Sequence, residues 1–221
     1  MKAAGVLATL FLAAAALVLL TTTAFAQKPS GYLLPNQSAK VRNVPDVRAA
    51  QRCESYALAA DLEAMLRQQN VPISQEALAD RIFSGKCLDS PPELGQVKHE
   101  LEDDYVLDDG RRVRVEAQVT TSLPTSPEAF LLPLLNGQAY VVYWRGHAYL
   151  LAGALWDETV ASGQQKQFSF RAFTLLDPFE SGAKRTVTVD VAKEGLSEFG
   201  GTLQVKVTEE KPSEWVPPVK W

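Results

Sequence analysis

The apolar residues change their spacing once along this chain, and that change limits the fold more than any other feature of the sequence. Up to Leu101 they recur at the three- and four-residue intervals of helices; from Tyr105 onward they alternate as in strands. In Arg52 to Gln69, Ala57, Leu58, Leu62, Met65 and Leu66 form one apolar face, with Asp61, Glu63, Arg67 and Gln68 mostly outside it. Asn70 can end that helix in a left-handed conformation and Pro72 stops it from resuming. Ser74 caps a second helix, Gln75 to about Ser84, ended by Gly85; a third runs from Pro92 to about Leu101. Tyr105 to Leu107 then turns at Asp108-Asp109-Gly110 into an alternating run through Val113, Val115 and Ala117. Ser126 and Pro127 open a short helix that Pro133 ends or kinks. Further strands are expected at Gln138 to Trp144, His147 to Leu155, Phe168 to Leu176, Ala183 to Val191 and Thr202 to Val207. Helices first and an antiparallel sheet second give an α+β fold, with the N-terminal helices packed on one side of the sheet.

The first 26 residues read as an export signal. Lys2 gives a positive start, Ala3 to Leu20 is apolar, and Ala24-Phe25-Ala26 is a small-residue cleavage pattern. The expected address is therefore periplasmic or extracellular, with no membrane attachment after cleavage. Residues 27–43 read as an extended lead-in with little regular structure, 44–208 as the folded domain, and 209–221 as a proline-rich tail. The net charge of −4 carries no basic stripe with interleaved aromatics, which excludes a nucleic-acid partner.

Two cysteines and two histidines carry the chemistry. Cys53 stands at or just before the first helical turn, where unpaired N–H groups and the helix dipole favour thiolate, the nucleophilic form. In an exported protein, Cys53 and Cys87 read first as a disulfide, which would remove the nucleophile. A catalytic reading requires the opposite, and on that ground both are expected unpaired. His99 lies in the charged run KHELEDD and reads as a solvated residue. His147 instead opens a strand that is otherwise nearly all apolar, directly after Gly146, and Asp177 ends a later strand. If those strands are neighbours, Cys53, His147 and Asp177 supply nucleophile, base and orienter of a thiol acyl-transfer site. Two histidines and two cysteines at these separations match no metal-ligand spacing, and no cofactor is expected.

The run QRCESYALAADLEAMLRQQNVPISQEALADRIF resembles the nucleophile segment of papain-like cysteine peptidases of the bacteriocin-processing-related group. NGQAYVVYWRGHAYLLAGALWD is similar to their strand, histidine and glycine segment, with His147 and Gly153 on the pattern. FTLLDPFESG resembles their aspartate-proline segment and marks Asp177. Glu54, directly after the cysteine, resembles secreted bacterial members. The resemblance spans about Val44 to Lys184 and implies a papain-like fold with a Cys53, His147, Asp177 triad. The family usually carries a glutamine six residues before the cysteine as oxyanion donor. Here that position is Val47, and Gln51 is the substitute, with the Cys53 backbone N–H as second donor. Some relatives are leader-cleaving domains of export transporters, but this chain carries no transporter part.

The leading expectation is a secreted thiol hydrolase, a cysteine peptidase acting on extracytoplasmic peptide or protein. The alternative is a catalytically inactive, peptidase-like binding domain that keeps the cleft. A third reading is another thiol acyl transfer, such as transglutamination, by the same triad.

Overall fold

A computed structural model of the chain describes residues 32–122, 127–160 and 166–210. The signal segment, the Ser126 cap and all but the start of the tail lie outside them. The described residues form an α+β structure with five helices and eight strands, all paired antiparallel in one sheet. The helices are α1 (Glu54–Gln68), α2 (Gln75–Phe83), α3 (Leu94–Leu101), α4 (Pro127–Leu135) and the single turn α5 (Val191–Glu194). The strands are β1 (Tyr32–Lys40), β2 (Asp103–Val106), β3 (Arg112–Thr120), β4 (Tyr140–Trp144), β5 (His147–Val160), β6 (Lys166–Leu176), β7 (Thr186–Asp190) and β8 (Phe199–Glu209). Their order is β2-β3-β8-β4-β5-β6-β7, and β1 adds to the far half of β5. None of the described helices is long and apolar enough to cross a membrane.

α1 is the hub of the helical part. It touches α2 and the strands β4, β5 and β8, and 13 of its 15 residues are buried. The sequence placed Asp61 and Glu63 off the buried face, yet they are 0 % and 3 % exposed. Neighbours on several sides cover the helix, so its polar residues are buried with the apolar ones. Glu63 is satisfied there, accepting from the Gln75 backbone N–H at 2.9 Å and pairing with Arg67. The caps follow the sequence. Cys53 is extended at the N-cap, Asn70 is left-handed at φ 59°, and the Ser74 hydroxyl accepts from Ala77 N–H at 3.3 Å.

The lead-in is more ordered than its prolines imply. Tyr32 to Lys40 pairs with β5 from Tyr32↔Val160 to Lys40↔Gly153, and the register shifts between Leu34 and Gln37. Pro35 has no N–H for the ladder, and Asn36 takes φ 57°, so an irregularity absorbs the residues that break the strand pattern. Asn36 N–H donates instead to the Asp157 carboxylate at 2.9 Å. Gly153 eases the approach of β1, because a Cβ there would stand a tight 3.0 Å from the Ala39 carbonyl oxygen. The expected strand Ala183 to Val191 is shorter: Gly182–Arg185 is a 3-10 turn, and only Thr186–Asp190 pairs with β6.

Candidate functional site

The site lies where α1 begins and where β5 and β6 leave the sheet at a common end. β4 and β5 are joined by the two-residue turn Arg145-Gly146, with φ of 54° and 73°, the left-handed pair of a tight hairpin. That turn starts β5 at His147. β5 and β6 are paired through Leu150↔Leu176, so His147 and Asp177 emerge at the same edge. α1 packs on β5 and β4 and brings its first residue, Glu54, to that edge.

His147 meets Glu54 there. The imidazole Nδ1 and Glu54 Oε1 are 2.7 Å apart, across 93 residues of sequence. The Glu54 side chain is 8 % exposed and that of His147 is 53 % exposed, so the carboxylate is fixed inside and the ring reaches outward. Glu54 Oε2 has no hydrogen-bond partner. The sequence marked Glu54 only as the residue beside the cysteine. It gave the orienting role to Asp177, but no hydrogen bond joins Asp177 to His147. Asp177 Oδ1 instead accepts from Phe179 N–H at 2.8 Å, while Asp177 N–H donates to the Arg185 carbonyl at 2.7 Å. An aspartate that bonds the backbone two residues on shapes a turn. This one carries Phe179 toward Cys53: Arg52, Cys53, Glu54, Asp89 and Phe179 together line a cleft of about 280 Å³.

The expectation of two free cysteines is overturned. Cys53 and Cys87 form a disulfide, with Cα atoms 5.7 Å apart, and neither cysteine is free. The reason is the loop after α2. The Ser55 hydroxyl donates to the Lys86 carbonyl at 2.8 Å and accepts from Leu88 N–H at 3.0 Å, and Glu54 N–H donates to the Leu88 carbonyl at 2.8 Å. These three bonds lay residues 86–88 across the first turn of α1 and bring Cys87 to Cys53. The structure places the two expected oxyanion donors differently. Gln51 is exposed, and its carbonyl accepts the Cys53 N–H at 3.0 Å, which occupies the second expected donor. Val47, at the position where the resembling family has glutamine, is buried.

Beneath the edge lies a polar cluster that the sequence did not reveal. Asp61 is fully buried, and neither carboxylate oxygen has a hydrogen-bond partner. Burial pushes its pKa well above the usual carboxylate range; the Arg185 charge offsets this in part, and the Asp177 and Glu54 charges add to it. Arg185 is 4 % exposed, and its guanidinium donates to the Pro45 carbonyl at 2.9 Å and to Asp46 at 3.2 Å. In the unfolded chain Asp61 titrates near ~3.9. Between that value and the raised folded one the native state holds the extra proton, so stability falls as pH rises through the window. Asp61→Asn removes this titration. Unfolding free energies from urea titrations should then fall less steeply above about pH 4 in the variant than in the parent. Parallel profiles would show that Asp61 is ionised in both states.

A larger groove of about 670 Å³ lies elsewhere, over β3 and β8. Its charges are matched: Asp103 with Arg81, Asp104 and Glu116 with Arg114, Glu102 with Lys98, and Lys206 with Glu116. It offers no uncompensated charge to fix a ligand. No His, Cys, Asp and Glu cluster able to hold a metal occurs among the described residues. No protein-family model and no curated protein matches the chain.

Proposed function

We propose that this chain is an exported thiol hydrolase of papain-like type, a cysteine peptidase acting on extracytoplasmic peptide or protein, and that it works in its reduced form. The observation that carries this reading is the Glu54–His147 pair, whose carboxylate belongs to the residue that directly follows Cys53 at the start of α1. A buried carboxylate on Nδ1 fixes the ring and supports the imidazolium, leaving Nε2 as the nitrogen that exchanges a proton with the nucleophile. Reduced Cys53 attacks the substrate carbonyl, and His147 first takes the thiol proton and then delivers it to the leaving group. Glu54 is a positioning residue, taking the role the resemblance implied for Asp177. Asp177 shapes the turn that brings Phe179 to the cleft, where an aromatic ring offers apolar surface to a substrate side chain.

The test is hydrolysis of quenched fluorescent casein and of p-nitrophenyl acetate by the full chain after mild reduction. Cys53→Ala is expected to remove turnover of both, and Cys87→Ala to keep it. Turnover that survives Cys53→Ala would exclude Cys53 as the nucleophile.

The disulfide and the buried Val47 favour a second reading, a binding domain that keeps the cleft without chemistry. It differs in one measurable way: ligand binding would be indifferent to Cys53→Ala, and no acyl-enzyme would form.

A further inference from the structure

The two halves of the disulfide sit in different surroundings. Cys53 is 4 % exposed and caps α1, whereas Cys87 lies exposed in the loop after α2. An external thiolate therefore reaches the bridge from the Cys87 side. Attack at a sulfur expels the other sulfur as thiolate, and the exchange is faster when that leaving thiol has a low pKa. Here the leaving sulfur is Cys53, at the positive end of a 15-residue helix and next to the residue that pairs with His147. Each feature favours the same direction of cleavage.

Resting on the hydrolase reading above, we propose that Cys87 is a thiol-exchange site and that the Cys53–Cys87 bridge gates the nucleophile. The partner is a dithiol reductant, a small molecule or a protein carrying two vicinal cysteines. Its first thiolate attacks the Cys87 sulfur; the Cys87–Cys53 bond breaks and the electron pair leaves on Cys53. Its second thiolate then attacks the mixed disulfide, releasing Cys87 as thiolate, which takes a proton from water. Two electrons pass from the dithiol, which ends as a disulfide, to the protein, which ends with Cys87 as thiol and Cys53 as thiolate. Ser55 and Glu54 still hold residues 86–88 on α1, so Cys87 stays beside Cys53 and the oxidised partner can close the bridge again.

The experiment uses the oxidised full chain without denaturant. Limiting glutathione is added, the reaction is quenched by acid, and the glutathionylated peptide is identified by mass spectrometry. Dithiothreitol is then added in steps while p-nitrophenyl acetate hydrolysis and free thiols are followed together. The expected result is a mixed disulfide on Cys87 rather than Cys53 by about tenfold or more. Hydrolysis should rise in step with thiol release and be lost again when the dithiothreitol is removed and oxidised glutathione is added. Cys87→Ala should hydrolyse the ester without any reductant. A bridge that opens only in denaturant, or a mixed disulfide found on Cys53, would overturn the exchange site. Opening at Cys87 that yields no hydrolysis would support the exchange site and overturn the hydrolase. Activity of the bridged parent equal to that of Cys87→Ala would mean turnover without a free Cys53, and would overturn both the gate and Cys53 as the nucleophile.

Discussion

After reduction, His147→Ala is expected to lower kcat/KM for p-nitrophenyl acetate by about three orders of magnitude or more, in line with removal of a base that acts as a unit with its nucleophile. The same variant should also lose reagent selectivity at the thiol. An ordinary cysteine with a pKa near ~8.5 is only about 0.3 % thiolate at pH 6, while one paired with an imidazolium is largely ionised there. Lower intrinsic nucleophilicity takes back much of that gain, so the net advantage of Cys53 over Cys87 toward iodoacetamide at pH 6 is about tenfold. His147→Ala should bring the two rates together. Glu54→Gln keeps the size and a hydrogen-bonding group but removes the charge that supports the imidazolium. It should shift the pH profile of alkylation toward that of a free thiol, with Glu54→Asp restoring part of the difference. A loss of stability alone would leave that profile in place. Equal labelling of both cysteines in the reduced parent would remove the ion pair, and with it the case for catalysis.

How far the sequence carried depended on the range of the forces involved. The ends of α1 were legible because Asn70 and Pro72 act on adjacent backbone, and the tight turn before His147 was legible because Arg145-Gly146 is a local signal. Alternation placed β4, β5 and β6 within a few residues, since a strand face is recorded every second position. Beyond Leu34, β1 was hidden by Pro35, which reads as a breaker unless the chain supplies an irregularity and a distant partner for Asn36 N–H. The Glu54–His147 contact depends on how α1 docks against the sheet edge, and nothing near either residue encodes that docking. Arg185 was missed for a similar reason. It looks like one charge in a polar turn, yet the fold buries it where its charge offsets in part the effect of burial on Asp61 and where it clamps Pro45. The bridge was the sharpest case. Composition and compartment pointed to it, and the three hydrogen bonds that lay residues 86–88 over α1 make it geometrically easy. A nucleophilic Cys53 has to be unpaired only in the reduced form, so the bridge does not exclude it.

Phe130→Ala is expected to lower the unfolding free energy by about 3–5 kcal/mol, a large part of the ~5–15 kcal/mol that holds an ordinary domain folded. Phe130 is 0 % exposed and sits on α4, a nine-residue helix whose sequence also carries Pro133. Nine residues with an internal proline cannot hold a helix by backbone bonding, so side-chain burial must fix it. The Phe130 ring is surrounded by Phe170 at 5.1 Å, Phe173 at 5.3 Å, Tyr140 at 5.7 Å and Phe199 at 6.3 Å between centroids. Those rings come from β4, β6 and β8, and Phe173 in turn meets Trp144 edge-on at 6.0 Å. Deleting the ring leaves a cavity against the fully buried Tyr140 and Phe173, beside the half-buried Phe170 and Phe199, and that cavity adds to the lost burial of the ring itself. The Tyr140 hydroxyl, which donates to the Phe130 carbonyl at 2.7 Å, loses its anchor if α4 detaches. Leu132→Ala, on the same helix but 56 % exposed, is the control and should cost no more than about 0.5 kcal/mol. Urea titrations of the three proteins measure the difference. If Phe130→Ala cost no more than Leu132→Ala, α4 would not be held by this cluster. β4 leads through the Arg145-Gly146 turn into His147, so loss of the cluster should also broaden the position of the imidazole. The reduced Phe130→Ala protein should therefore hydrolyse p-nitrophenyl acetate more slowly at temperatures where it is still folded.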